Sequence, residues 1–135
     1  MIQWKESYRI GVDIIDEQHK KLFDLAEEAE EMLELPEHSD KFDEIVEIVN
    51  ELRDYVKYHF AEEEKILFEI QYSKFFKHKV AHNDFVDYIY KLDMDEIDRH
   101  QNDKILELLR ALNDWLVEHV LVEDRQWSEV YKTKM

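Results

Sequence analysis

Residues 58–64 read Tyr58-His59-Phe60-Ala61-Glu62-Glu63-Glu64, inside a helical pattern that runs from about 41 to 70. Upstream, Phe42, Ile45, Val49, Leu52 and Val56 recur at alternating three- and four-residue steps. That is the seam of a helix facing other helices. The next two seam positions are His59 and Glu63, and the apolar seam resumes at Ile66 and Ile70. A base and an acid, one turn apart on one face, stand where core belongs. Buried without partners they would cost on the order of several kcal/mol, so some further group must hold them there.

Working outward, three more segments carry the same periodicity. A helix over about 17–35, with Asp16 as its N-cap and Pro36 as its stop, has the inner stripe His19, Leu22, Phe23, Ala26, Ala29 and Leu33. Its acidic outer residues, Glu27, Glu28, Glu30, Glu31 and Glu34, form a solvated face. Ser39 or Asp40 caps the helix of about 40–71. Ser73 caps a third helix over about 73–92, with the seam Phe75, His78, His82, Phe85, Ile89, Leu92. After a polar connection with room for a helical turn, a fourth helix spans about 102–124, with the seam Ile105, Leu108, Leu112, Trp115, His119. Residues 1–15 read as an extended arm that lays Trp4, Tyr8, Ile10 and Val12 on the helices, with Gly11 at a positive φ. Residues 125–135 read as a tail whose Trp127, Val130 and Tyr131 pack back before it frays.

Composition agrees. The 135 residues include one Gly, one Pro and no Cys, so a few long elements are joined by short loops, and no thiolate site or disulfide framework is available. Together with the helical period this predicts one all-α domain, an up-down-up-down antiparallel four-helix bundle with an extended N-terminal arm. The formal net charge of -16 repels nucleic acid and anionic membranes and favours a monomer. No basic stretch followed by an apolar run opens the chain, and no apolar run approaches the ~18 residues of a membrane span. A soluble, cytoplasmic protein is expected.

Five of the seven histidines lie on seams: His19, His59, His78, His82 and His119. His38 and His100 fall in connections and read as surface residues. In an antiparallel bundle the start of the first helix, the end of the second, the start of the third and the end of the fourth meet at one end. All five seam histidines and Glu63 therefore converge. Imidazole with carboxylate suits Fe, Zn, Cu or Ni rather than Ca or Mg. Asp124 is out of step. It follows His119 by five residues, which turns it about 140° from the seam at ~100° per residue. On periodicity alone it belongs to the surface; a π-bulge, predicted between His119 and Asp124, would return it to the core.

His19 within Ile-Asp-Glu-Gln-His-Lys-Lys-Leu-Phe, His59-Phe-Ala-Glu-Glu63, His78-Lys-Val-Ala-His82 and His119-Val-Leu-Val-Glu-Asp124 together resemble the hemerythrin family in its bacterial single-domain form. The resemblance spans essentially the whole chain. It departs at Ile66-Leu67, where the family often has methionine, and at Tyr72-Ser73, where Tyr-Pro is common; neither is a ligand position. The resemblance implies two non-haem iron ions with an oxo or hydroxo bridge and reversible O2 binding. His78, His82 and His119 would ligate one iron, His19 and His59 the other, and Glu63 and Asp124 would bridge. Ligand counting then leaves one open position, on the two-histidine iron. No further acid, tyrosine or histidine is expected on the inner seams, which favours release of intact O2 over its cleavage. The implied role is oxygen storage, delivery or buffering, not enzymatic, with NO as a second small ligand. The alternatives are a di-iron peroxidase or NO-handling enzyme, and a sensor acting through a partner.

Overall fold

The structure, a computed structural model, describes residues 3–134. The first two residues of the expected arm and the last of the tail lie outside the described residues. Among the described residues, six α-helices follow a short 3-10 turn at Glu6–Tyr8: α1 Asp13–Glu34, α2 Phe42–Glu69, α3 Phe75–Tyr90, α4 Met94–Arg99, α5 Gln101–Trp115 and α6 Arg125–Lys134. Leu116–Asp124, between α5 and α6, is π-helical. α1, α2, α3 and α5 with its π extension form the antiparallel bundle, α1 packing on α2 and α5, and α2 on α3. Among the described residues there is no strand.

The core follows the seams. Leu22, Phe23, Val49, Leu52, Val56, Phe85, Ile89, Leu109 and Leu112 are buried in one cluster. Each such aliphatic or phenyl side chain contributes roughly 1.5–3 kcal/mol by leaving water. A smaller cluster of Ile10, Val12, Ile15, Leu67, Ile70, Tyr72 and Trp127 closes the end where the arm, α1, the end of α2 and α6 meet. α2 stops there in a Schellman turn. Gln71 takes φ 54°, its N–H reaches the Phe68 carbonyl and the Tyr72 N–H reaches that of Leu67. Tyr72 and Leu67 share the small cluster, the apolar contact that usually accompanies this turn.

Gly11 has φ +94° as expected, and a Cβ there would meet the Lys132 side chain at 2.8 Å. Other boundaries differ from the sequence reading. α1 begins at Asp13, four residues early, because Asp16 is not its N-cap. The fully buried Asp16 carboxylate faces backward and accepts from the Ile10 and Gly11 N–H groups, at 2.7 and 3.1 Å. It pins the arm to the helix instead of starting it. Ser73 caps nothing, since α3 begins at Phe75 after Lys74 without a side-chain cap. Ser39 caps nothing either; Asp40 accepts from the Phe42 N–H at 3.1 Å. The connection after α3 holds α4, whose first turn is capped by Asp93. The tail is helix α6, continuous with the π segment, and its Trp127 is fully buried.

Candidate metal centre

Seams of four helices deliver the polar side chains to one end of the bundle. His19 comes from the second turn of α1, His59 and Glu63 from α2, His78 and His82 from α3, and His119 and Asp124 from the π segment. Bonding from i to i+5 winds this segment more loosely than an α-helix, and so brings two residues five apart to one face. Asp124 is fully buried, not on the surface where α periodicity would put it.

Two donor groups result, each with its ligand atoms within 4.8 Å of one another: Glu63 with His78, His82 and His119, and His19, His59, Glu63 and Asp124. Glu63 belongs to both. Its Oε1 lies 2.5 Å from His78 Nε2 and 3.1 Å from His82 Nε2, while its Oε2 lies 3.2 Å from His59 Nε2 and 3.6 Å from His19 Nε2. Asp124 divides in the same way. Its Oδ1 is 2.9 Å from His78 Nε2 and 3.3 Å from His119 Nε2, and its Oδ2 is 3.0 Å from His19 Nε2. Each carboxylate turns one oxygen to each group.

The donors are tested by what they leave unpaired. His19 Nε2, His59 Nε2, Glu63 Oε2 and Asp124 Oδ2 are all buried and none makes a hydrogen bond. Each such atom costs roughly 1–3 kcal/mol when orphaned. On the other side, His82 Nε2 and His119 Nε2 face each other at 2.9 Å. Nitrogens and carboxylate oxygens converging in this way on two common points fit a pair of cations of the kind that take imidazole and carboxylate.

Other side chains orient the rings. His59 Nδ1–H donates to Gln18 Oε1 at 2.7 Å, and His82 Nδ1–H donates to Glu64 Oε2 at 2.8 Å. Both bonds leave Nε2 as the ring's free lone pair. Lys79 donates from the surface to the other oxygen of Glu64 at 2.7 Å. Phe60 lies flat on His82, with centroids 3.9 Å apart, and Trp115 stacks on His119 at 4.6 Å. Periodicity misses Gln18, Glu64 and the buried Asp16. All three are off the seams, and only the neighbouring element reveals their use. Glu64→Gln keeps an acceptor for His82 but removes its charge. It should weaken metal binding about 10–100-fold in a zinc competition titration; unchanged affinity would count against the orienting role.

Burial disfavours charge on every one of these rings, and the carboxylates decide the outcome. Burial pushes His19 down, yet the facing Asp124 and Glu63 lift it to about 9, and the same balance lifts His78 to about 10. His59, where burial wins over Glu63, is held below the ordinary histidine value. Burial opposes ionisation of Glu63, but the surrounding imidazoles hold it well below the carboxylate range. A raised pKa means that His19 and His78 carry protons at pH 7, and a cation must displace them. Metal affinity should therefore rise as pH climbs from 6 toward 9, with protons released on binding. Competition titrations in a pH series, with a pH-stat, check this; a flat profile would refute it.

A groove of about 520 Å³ runs between α3 and the end of α5, lined in part by His78, Phe85, Trp115 and His119. By contrast, His19 and His59 are fully buried. Among the described residues no helix is long and apolar enough to cross a membrane.

The model of the hemerythrin HHE cation binding domain matches residues 10–130. A bacteriohemerythrin of Clostridium acetobutylicum is 39% identical over 129 residues, which cover 96% of this chain and all of that protein. A hemerythrin of Themiste dyscrita is 31% identical over 121 residues, 90% of this chain and 86% of that protein. A bacteriohemerythrin of Stenotrophomonas maltophilia is 26% identical over 137 residues, all of this chain and 84% of that protein.

Proposed function

The chain belongs to the hemerythrin family, whose domain carries a non-haem di-iron centre, and on that basis we propose that it binds O2 reversibly, for storage, delivery or buffering, and is not an enzyme. In this proposal His78, His82 and His119 would hold one iron, His19 and His59 the other, and Glu63 and Asp124 would be shared between them. The observation that carries it is the pair of donor groups sharing Glu63, with the buried His19 Nε2, His59 Nε2, Glu63 Oε2 and Asp124 Oδ2 turned inward and none of them hydrogen-bonded. When bound, the iron pair supplies the electrons and the open coordination position that reversible O2 binding requires.

The protein's part is to orient, neutralise and exclude water. Two carboxylates offset much of the charge of two divalent cations in a buried setting, where uncompensated charge is costly. Gln18 and Glu64 fix the tautomers of His59 and His82. Along α1, His19 is flanked by Ile15, Leu22 and Phe23, and along α2, His59 is flanked by Val56 and Phe60, all of them buried. A small neutral diatomic loses nothing by entering such an apolar wall, whereas water and charged oxygen species do. The proposed setting is a cytoplasmic monomer. NO is the second ligand to test.

The experiment is an optical spectrum of reduced, iron-loaded protein, taken before air, after air and after degassing. A visible band that comes with air and leaves with degassing supports the proposal. Direct conversion to an oxidised form that needs reductant to return overturns it in favour of a redox enzyme or sensor.

A further inference from the structure

The metal end of the bundle carries a surface that O2 binding does not use. Residues 65–82 contain Lys65, Lys74, Lys77 and Lys79 against Glu69 alone, in a chain of formal net charge -16. All four lysines are exposed. Among them Phe68, Phe76 and Val80 are 74%, 79% and 57% exposed. These side chains are joined. The Phe75 ring lies 6.2 Å from that of Phe68 and 5.4 Å from that of Phe76, and Val80 is one helical turn beyond Phe76. An apolar centre with a basic rim is the anatomy of a protein-docking patch.

The patch adjoins the groove between α3 and α5. Lys74 and Lys77 stand on the rim of that groove, and His78, Trp115 and His119 line it. The Trp115 ring stacks on His119 at 17°. A donor seated at this rim thus lies beside Trp115, whose ring stacks on His119, whereas His19 and His59 are sealed from it.

We propose that the first turns of α3, with the end of α2, dock an acidic one-electron carrier protein that returns oxidised iron to the ferrous state through this groove. This rests on the di-iron reading above. Each reduced carrier gives up one electron and one ferric ion gains it, so two encounters restore the pair, with no bond to a protein atom made or broken. Charge complementarity selects the partner. An anionic membrane sheet would also meet Asp84, Asp114, Glu118 and Glu123, which line the same groove. A protein partner covers only about 800 Å² and can seat on the lysines of the rim, beside the groove and not against its acids. A second copy docked by two-fold symmetry would set these lysines against themselves.

The test uses an acidic plant-type [2Fe–2S] ferredoxin as probe. Its anaerobic rate of reduction of the ferric protein is measured against salt, with the cationic reductant methyl viologen as control. K74E/K77E should slow the ferredoxin reaction about tenfold, and salt should slow the wild-type ferredoxin reaction; K74E/K77E should not slow methyl viologen. Phe76→Ser should slow ferredoxin alone. Independently of iron, NMR titration of zinc-loaded protein with the ferredoxin should shift resonances of residues 65–82, and K74E/K77E should abolish those shifts. Rates and shifts indifferent to the variants and to salt overturn the proposal. So does binding of phosphatidylserine vesicles through these lysines without a ferredoxin effect, which would assign the patch to lipid. The air-and-degassing spectrum is measured on the same samples. Its failure with the docking effects intact would overturn O2 carriage and not the docking.

Discussion

Glu63→Ala is expected to abolish binding of two metal ions, leaving at most one per chain with affinity lowered by more than about 100-fold. Glu63 is the one residue common to both donor groups, and each of its oxygens faces a different set of histidines. Without it, both histidine groups keep only Asp124 as an anionic donor, through Oδ1 toward His78 and His119 and through Oδ2 toward His19. The same carboxylate helps hold the protons of His19 and His78, so its loss also leaves buried positive charge uncompensated. Breaking a buried pair in this way costs about 3–5 kcal/mol. A stability loss could therefore masquerade as a binding loss, and Glu63→Gln separates the two. It preserves shape and packing, should retain the helical spectrum, and should still fail to take up the second metal. Metal content per chain with competition titration reads the result. Two ions bound at wild-type affinity in Glu63→Gln would sink the bridging assignment.

Trp127→Ala should be the most damaging change outside the donor set. The indole is fully buried in the small cluster that closes the metal end, and its Nε1–H donates to Asp124 Oδ1 at 3.1 Å. Deleting a large buried aromatic costs about 3–5 kcal/mol. For a chain of this size that lowers Tm by about 10 °C or more. Asp124 also loses the donor that sets its rotamer, so metal binding should weaken beyond what instability explains. Trp127→Phe keeps most of the apolar volume and drops the N–H. It should lower Tm modestly while still weakening metal binding. Thermal melts with and without zinc distinguish the two effects; equal metal affinity in Trp127→Phe and wild type would reduce Trp127 to packing alone.

Much of the fold was legible because a helix converts sequence spacing into angle. Steps of three and four residues identify the seams of α1, α2, α3 and α5, and the same steps place His19, His59, Glu63, His78, His82 and His119 on them. Antiparallel order does the rest, since it fixes which helix ends meet. The boundaries were less legible. Asp16 looks like a cap because Asp favours that position, yet its carboxylate serves the backbone of the arm, a partner that helix propensity does not describe. The tail packs back through Trp127 as expected, yet it is the helix α6 and continues the π segment without a break.

Asp124 marks the limit most clearly. Five residues after His119 it points away from the core on an α-helix, and only the π-helical winding of Leu116–Asp124 turns it inward. Periodicity assumes the winding it is used to detect, so it cannot register a local change in that winding. Gln18 and Glu64 show the second limit. Each is next to a seam residue and turned from it by ~100°, and its role exists only because a ring on another helix lies within hydrogen-bond reach. Sequence alone determined which seam side chains face the inside and at which end of the bundle, because those follow from angle and order along one chain. Tertiary structure decided the winding, the tautomers and the shared carboxylates, because those depend on distances between elements that no spacing within one helix encodes.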